Sequence, residues 1–264
     1  MTPFELSVLF VFGLMVGSFL NVCIVRLPAG ISIVTPPSRC PKCATRLVWR
    51  DNIPVLSWLW LGGKCRTCRA PISGRYPIIE LATGAVFLLQ GIMLPGSPVA
   101  DSAMAVLLAS RLVFSSLLVA LLATDLETFR LPNPLTYFGI GAGIAFSLFG
   151  PPGLVGSLIG AAVGAGVLLL IRAAWKLARG VDAMGLGDVK MLAMIGAFLG
   201  WPHVWAVLLL SSLVGALVGI GIAIAGRGTM QSKLPFGVFL SVAALVSSVW
   251  GQHLIDWYMG TLSI

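Results

Sequence analysis

Long apolar runs without a charged side chain dominate this sequence and limit the folds that it can adopt. Residues 6–25 carry no charge, and neither do residues 191–226. A transmembrane helix needs roughly 20 mostly apolar residues to cross about 30 Å of hydrocarbon. With 58% hydrophobic and 10% charged residues, the chain has more apolar surface than one soluble core could bury. The sequence therefore predicts an all-α polytopic membrane protein.

The apolar runs predict about eight transmembrane helices. Their approximate limits are residues 4–24, 77–94, 103–124, 135–149, 153–171, 189–200, 203–225 and 235–255. The first run follows no basic segment and precedes no small-residue cleavage site, so we expect a retained helix rather than a signal peptide. The chain then has three parts: a first transmembrane helix (1–25), a basic loop (26–76) and a seven-helix membrane bundle (77–264).

The basic residues support this arrangement, because Lys and Arg collect in the cytoplasmic loops of membrane proteins. If the N-terminus lies outside, residues 26–76 are cytoplasmic and hold nine of the 17 Lys and Arg residues. Seven more fall on the same predicted side: Arg130, Arg172, Lys176, Arg179, Lys190, Arg227 and Lys233. The remaining one, Arg111, lies within the third predicted span, where an unpaired Arg is costly. This topology accounts for the net charge of +8, and we expect no nucleic-acid partner.

Four of the five cysteines form two C-x-x-C pairs, Cys40 with Cys43 and Cys65 with Cys68, and 21 residues separate the pairs. Two such pairs, each on a tight turn, can present four thiolates to one tetrahedral zinc ion. Two disulfides or free redox thiols are the alternatives, and a reducing cytoplasm disfavours the disulfides. Since four protein ligands leave no open position, we predict a structural zinc ion that folds the loop.

Two acidic residues, Asp125 and Asp188, stand where predicted spans meet the cytoplasmic face. Taken singly, Asp188 could cap a helix and Asp125 could have a structural partner. As a facing pair they could share a proton, one acting as a base on water while the other donates to a carbonyl oxygen. Gly185 and Gly187 would let an extended peptide backbone approach Asp188, although a mobile turn would explain the glycines alone. The pattern favours aspartyl protease chemistry.

Several separate motifs make the chain resemble type IV prepilin peptidases nearly from end to end. They are GSFLNVCIVRLP (17–28), DNIPVLSWLWLGGKC (51–65), PISGRYPIIEL (71–81), DLETFRLPN (125–133), GLGD (185–188) and LPFGVFL (234–240), together with the paired C-x-x-C loop. The resemblance implies a G-x-G-D aspartyl protease of the bacterial inner membrane. Such an enzyme cuts the basic leader of type IV prepilins or type II secretion pseudopilins after Gly at the cytoplasmic face. The catalytic pair and the zinc ligands would then be Asp125, Asp188, Cys40, Cys43, Cys65 and Cys68.

The same resemblance implies a second activity, N-methylation of the new N-terminal residue with S-adenosylmethionine as the methyl donor. Asn21, Arg26 and Glu80 are candidates for its site by match and location. For Glu80, the alternative is an ion pair with Arg26 or Arg75 at the same face. The cysteine loop, which the resemblance associates with members that have both activities, would contribute to the methyl-transfer site.

The chain departs from the family's pattern at two positions of the DLETFRLPN segment. Glu127 and Asn133 stand where members often have Asp. Both lie close in sequence to the catalytic position at Asp125, so we expect them to tune the fit of the substrate rather than to remove activity.

The residues alone leave two alternatives to a peptidase open. A proton-coupled transporter would also carry intramembrane carboxylates and glycine-rich helices, but its acids would lie near the midplane and its sequence would contain an inverted repeat. A non-catalytic, zinc-bearing pilus assembly factor would keep the cysteines and would need neither aspartate. No H-E-x-x-H segment is present, and both histidines, His203 and His253, lie towards the predicted outer face. A zinc or serine protease site is therefore not expected at the cytoplasmic face.

Overall fold

Helices account for nearly all secondary structure in the computed structural model, which describes residues 1–181, 184–225 and 234–262. Within these ranges the α-helices are α1 (Pro3–Arg26), α2 (Leu56–Trp60), α3 (Arg75–Ile92), α4 (Ser102–Thr128), α5 (Asn133–Phe146), α6 (Leu154–Arg179), α7 (Leu186–Leu199), α8 (Trp201–Ile224) and α9 (Phe236–Leu262). A single 3-10 turn, Trp49–Asn52, precedes α2. Two basic residues of the predicted cytoplasmic connections, Arg227 and Lys233, lie outside the described residues.

The eight predicted spans coincide with the long helices of the described chain, α1 and α3 to α9, which confirms the all-α membrane class. Five of these helices, α1, α4, α6, α8 and α9, are long and apolar enough to cross a membrane. The helices α5 and α7 have 14 residues each, which corresponds to a length of about 21 Å. Because the hydrocarbon core is about 30 Å thick, the count of eight spans is approximate.

Small residues bring the helices into close contact, as the glycine-rich sequence predicts. A Cβ atom added to Gly13 of α1 would lie 2.7 Å from Gly84 Cα of α3. Gly160 of α6 and Gly196 of α7 face each other in the same way, backbone against backbone. At both crossings a larger side chain would push the two helices apart.

The two helices that carry the predicted catalytic acids run through the core of the bundle. In α4 every residue from Leu117 to Asp125 is buried except Leu122. In α7 every residue from Val189 to Phe198 is buried except Lys190. Both acids therefore lie next to tightly packed helical segments, which restrict the movement of their backbones.

Packing brings together the helix ends that the sequence analysis assigned to one membrane face. Arg75 at the start of α3 forms a 2.6 Å ion pair with Glu127 near the end of α4. Lys190 Nζ in α7 donates to Asn133 Oδ1 at the start of α5, at 2.8 Å. The two positions that depart from the family's pattern thus serve as links between helices. We call this the loop end of the bundle, because the cysteine loop connects α1 to α3 there.

Arg111 has a backbone partner at the end of α3. Its Nη1 donates to the carbonyl oxygen of Met93, at 3.3 Å, and Met93 is the residue that follows α3. The last carbonyl groups of a helix lack partners within the helix and favour a nearby cation. Capping the end of α3 therefore accounts for a charge that the sequence could not place.

Candidate functional site

Asp125 lies in the last turn of α4, and only 5% of its surface is exposed. Its carboxylate Oδ2 accepts a hydrogen bond from the backbone N–H of Val238, at 3.2 Å. Val238 belongs to the first turn of α9, where unpaired amides and the helix dipole favour a negative charge. The start of α9 therefore fixes one oxygen of a buried carboxyl group that comes from a different helix.

Asp188 lies in the first turn of α7 and is half-buried. Gly185, which precedes α7, has no side chain that could cap the helix. The carboxylate of Asp188 lies in the first turn of α7, where unpaired backbone amides and the helix dipole favour a negative charge. This position agrees with the capping role that the sequence predicts, and it puts the carboxylate at the loop end.

The fold brings the two predicted catalytic residues to the same place. Asp125 lies in the last turn of one core helix and Asp188 in the first turn of another, and the two helix ends meet around Leu131. Leu131, from the short turn between α4 and α5, packs beside Gly187 on one side and Gly237 on the other. The site therefore consists of two carboxyl groups next to apolar side chains at the loop end.

The two glycines of the GLGD segment differ in their surroundings. Gly185 is exposed, and the nearest atom to a Cβ added there is Asp188 Oδ2, at 3.7 Å. Gly187 packs against the turn after α4, because an added Cβ would lie 3.0 Å from Leu131 Cβ. Gly185 thus leaves open space next to the carboxylate, whereas Gly187 allows α7 to approach the turn.

The four cysteine sulfur atoms come together within 4.8 Å of one another, although no disulfide joins them. Cys40 Sγ lies 3.8 Å from Cys68 Sγ, and Cys43 Sγ lies 4.0 Å from Cys65 Sγ. A tetrahedral site with zinc–sulfur bonds of about 2.3 Å separates its sulfur atoms by about 3.8 Å. Disulfide sulfur atoms would be only about 2.05 Å apart. The arrangement therefore fits one tetrahedral metal ion.

Both cysteine pairs lie on the same kind of backbone turn. In the first, Ala44 N–H donates to Cys40 O at 2.9 Å, and in the second, Arg69 N–H donates to Cys65 O at 3.0 Å. Ala44 and Arg69 occupy equivalent positions, and each has a φ of 57°. Positive φ is uncommon for residues other than glycine and requires support from the surrounding structure. Two matched turns of this kind are expected where four sulfur atoms must converge on one ion.

The cysteine thiols differ in their readiness to ionise. The side chain and then the backbone amide of Thr45 lower the pKa of Cys43 to about 6. The Ala70 amide lowers the pKa of Cys68, but desolvation and hydrogen bonds with the other three thiols outweigh it and raise this pKa to about 11. Cys43 is therefore the thiol of the two that loses its proton more readily, and binding a metal would displace a proton from Cys68.

A cavity of about 610 Å³ lies between the cysteine loop and the loop ends of α1 and α3. All three residues predicted for methyl transfer, Asn21, Arg26 and Glu80, line it. Asn21 Nδ2 donates to Tyr76 O at 3.1 Å, but Asn21 Oδ1 is buried without a hydrogen-bond partner among the described residues. A buried acceptor of this kind requires a donor, and a bound ligand or water in the cavity could supply it.

Glu80 forms no ion pair with Arg26 or Arg75 in the described part of the chain, so the alternative considered for it is wrong. Arg75 pairs with Glu127 instead. The carboxylate Oε2 of Glu80 accepts a hydrogen bond from the backbone N–H of Val55, at 2.7 Å. Glu80 therefore connects the cysteine loop to α3 and contributes to the wall of the cavity.

Comparisons with known proteins cover both parts of the site. The family model described as Bacterial Peptidase A24 N-terminal domain matches residues 11–94, and that of the Type IV leader peptidase family matches residues 112–220. A protein of Aeromonas salmonicida (strain A449) called prepilin leader peptidase/N-methyltransferase is 38% identical over 97% of this chain and 94% of its own length. The chain belongs to the type IV leader peptidase family. This confirms the resemblance that the sequence motifs indicated.

Other relatives extend the same relationship. Proteins that carry the same name are 43% identical in Klebsiella pneumoniae, over 78% of this chain and 90% of their own, and 36% identical in Burkholderia pseudomallei (strain 1026b), over 95% and 87%. No solved structure matches the chain. The first family model covers α1 from residue 11 onward, the cysteine loop and α3, and the second covers both aspartates.

Two residues beside the carboxylate pair were not predicted from the sequence. Val238 supplies the amide that holds Asp125, and Gly237 leaves the space in which that carboxylate lies. Both belong to the LPFGVFL segment, which the sequence analysis recognised only as part of the resemblance. A glycine at the start of a predicted span, two residues after a proline, was the available signal for a close approach of another group.

Proposed function

We propose that the protein is an aspartic endopeptidase that removes the basic leader of type IV prepilins or type II secretion pseudopilins, cutting after Gly. The observation that carries this proposal is the meeting of Asp125 and Asp188 at one end of the bundle, on two packed helices of a type IV leader peptidase. Membership of this family favours peptide cleavage over the transporter and the non-catalytic assembly factor. We place the protein in the bacterial inner membrane, with its loop end facing the cytosol.

In the proposed mechanism, the two carboxyl groups share one proton, because two adjacent carboxylates cannot easily both ionise. The ionised carboxyl takes a proton from the attacking water, and the protonated one donates to the oxygen of the scissile carbonyl. The backbone amide of Val238 orients Asp125, and the first turn of α7 carries Asp188. The substrate's Gly junction lies extended beside Gly185, where the absence of a side chain leaves room.

The apolar part of the substrate would dock on the exposed side chains near the acids. Leu126 and Phe129 at the end of α4, and Leu186 at the start of α7, are all exposed. These side chains can contact the hydrophobic helix of a prepilin while the basic leader stays in water. The polar cleavage junction would then lie at the level of the carboxyl pair.

A digest of a purified prepilin tests this activity. The protein in detergent should release an intact basic leader, and mass spectrometry should place the cut directly after the Gly at the junction. Intact prepilin after incubation with folded protein would reject the proposal, and cleavage at scattered sites would reject the assigned specificity.

We further propose that the cavity beside the cysteine loop binds S-adenosylmethionine and that the protein methylates the new N-terminus there. The named relatives are peptidase/N-methyltransferases, and the cavity has a volume within the range usual for small-molecule sites of about 300–1,000 Å³. Arg26 could pair with the carboxylate of the methyl donor, and Asn21 Oδ1 could accept a hydrogen bond from its amino group. The proposed ion at the four cysteines is zinc in a structural role, since all four ligand positions are filled by protein.

Cys65→Ser is expected to remove the metal and the methyl transfer together while leaving cleavage in place. Cys65 is a buried member of the cluster, and a serine hydroxyl is a poor zinc ligand, so bound zinc should fall from about one equivalent to near zero. Elemental analysis and transfer of a labelled methyl group from S-adenosylmethionine to cleaved pilin measure the two effects.

Cys23→Ala is the matched control for the metal-site variant. Cys23 is buried within α1 and does not belong to the four-cysteine cluster, so this variant should retain both zinc and methyl transfer. A full equivalent of zinc in Cys65→Ser would overturn the metal assignment, and unimpaired methylation without zinc would overturn the link between the two.

A further inference from the structure

The short helix α2 divides its side chains between two faces. Leu56, Leu59 and Trp60 are exposed, with 63%, 60% and 90% of their surface accessible. Their spacing of three and four residues puts them on one side of the helix. Ser57 and Trp58 line the large cavity instead. One face of α2 is therefore cavity wall, and the other presents a large apolar patch.

The segment that leads into α2 lies beside the outer surface of α1. Residues 52–54 line a shallow crevice of about 420 Å³ together with Val11, Met15 and Ser18. Val11 and Met15 are exposed on the apolar surface of α1, a helix long enough to cross a membrane. Met15 lies about 16 Å along the helix axis from Arg26, where α1 ends. The segment therefore descends well below the end of the span.

A hydrogen bond from α3 holds α2 at this depth. Glu80 Oε2 accepts from the N–H of Val55, the residue before α2, at 2.7 Å. A Cβ added to Gly17 would lie 2.7 Å from Glu80 Cα, so Glu80 is level with Gly17 of α1. Val55 has a φ of 62°, which a β-branched residue rarely adopts without support. The turn into α2 is thus fixed at the level of Gly17, roughly 13 Å from the end of α1.

We propose that the exposed face of α2 inserts into the lipid leaflet at the loop end, so that the cysteine loop is anchored in the bilayer. Lipid is the partner that an apolar patch at this depth would meet, because the neighbouring surface of α1 is itself a membrane-spanning surface. Tryptophan is enriched where proteins meet the membrane interface. The anchoring goes beyond the proposed catalysis and does not depend on it.

This anchor would also shape the cavity. Because Ser57 and Trp58 line the cavity on the opposite face of α2, insertion of Leu59 and Trp60 into lipid holds that wall against α1 and α3. Trp58 reinforces the wall, since its Nε1–H donates to Ile72 O at 3.1 Å. The methyl-transfer cavity is then kept at membrane level rather than in bulk solvent.

Photo-crosslinking of the full-length protein in phospholipid nanodiscs tests the insertion. A benzophenone amino acid is placed at Trp60, with Phe19 of α1 as the lipid-exposed reference and Val34 as the reference in the same loop. Phe19 is 51% exposed and lies close to Gly17, at the depth of the turn into α2. Val34 is 79% exposed and lies near Ser32, whose carbonyl oxygen accepts a hydrogen bond from Arg26 at the end of α1. Mass spectrometry then measures adducts with acyl chains at each position.

The yield of lipid adducts at position 60 should match that at position 19 and exceed that at position 34 by at least about tenfold. A yield as low as at position 34, or adducts with a second copy of the protein in place of lipid, would overturn the proposal. The conservative variant Trp60→Phe gives a second measurement that does not depend on incorporating the probe. Quenching by lipids with a nitroxide on the acyl chain should remove more fluorescence from the wild type than from Trp60→Phe, and equal losses would contradict insertion.

Discussion

Asp125→Asn and Asp188→Asn should each reduce prepilin cleavage by about 10²–10⁴-fold, the usual contribution of a positioned acid or base. An amide has nearly the shape of a carboxyl group but cannot exchange a proton with water or with a substrate carbonyl. The asparagine in Asp188→Asn would keep an acceptor oxygen in the first turn of α7, so the start of the helix should be preserved. The variants should therefore lose proton transfer but not stability, so kcat falls while the protein remains folded.

The double variant Asp125→Asn/Asp188→Asn separates a dyad from two independent contributions. Groups that act as a unit are not additive, so the double variant should be about as slow as either single variant. Asp101→Asn is the matched control, because Asp101 directly precedes the same helix α4 and caps it by accepting from Ala103 N–H at 2.8 Å, a role that Asn also fills. Cleavage at the wild-type rate by either single variant would exclude that residue from catalysis.

The helices and the grouping of the aspartates and cysteines could be predicted from the sequence, because both depend on simple patterns. Apolar run length determines where a membrane helix can form, and the charge bias orients successive helices. Alternating helices then bring Asp125 and Asp188 to one end without any knowledge of packing. The two C-x-x-C pairs predicted a single four-cysteine cluster for a similar reason, since each pair closes its own local turn.

Contacts that join distant segments could not be predicted in this way. Val238 and Asp125 are 113 residues apart, and their hydrogen bond depends on how far α9 slides along α4. The partner of Glu80 is a backbone amide, which any residue could supply, so side-chain identity pointed to an ion pair that does not form. The depth of α2 likewise depends on contacts with distant segments, and a five-residue helix gives no periodic signal of its own.

Gly237→Ala should reduce cleavage by about 10²-fold, the cost of misplacing a reacting group by roughly 1 Å. The added Cβ would lie 2.8 Å from Asp125 Oδ2 and 3.1 Å from Leu131 Cδ2. Because Leu131 closes the other side, the carboxylate must turn away from the Val238 amide. Rates of prepilin cleavage at saturating substrate measure the effect, which should fall on kcat rather than on KM.

Stability distinguishes this displacement from general disruption. Alanine is a better helix former than glycine by about 1 kcal/mol, so Gly237→Ala at the start of α9 should melt close to the wild-type temperature even as activity falls. Gly141→Ala is the matched control, since a Cβ at this glycine of α5 meets no atom within 4 Å, and its activity should be unchanged. Full activity in Gly237→Ala would show that Asp125 does not need the position that α9 gives it. If the melting temperature of Gly237→Ala falls together with its activity, Gly237 is needed for helix packing and not for the placement of Asp125.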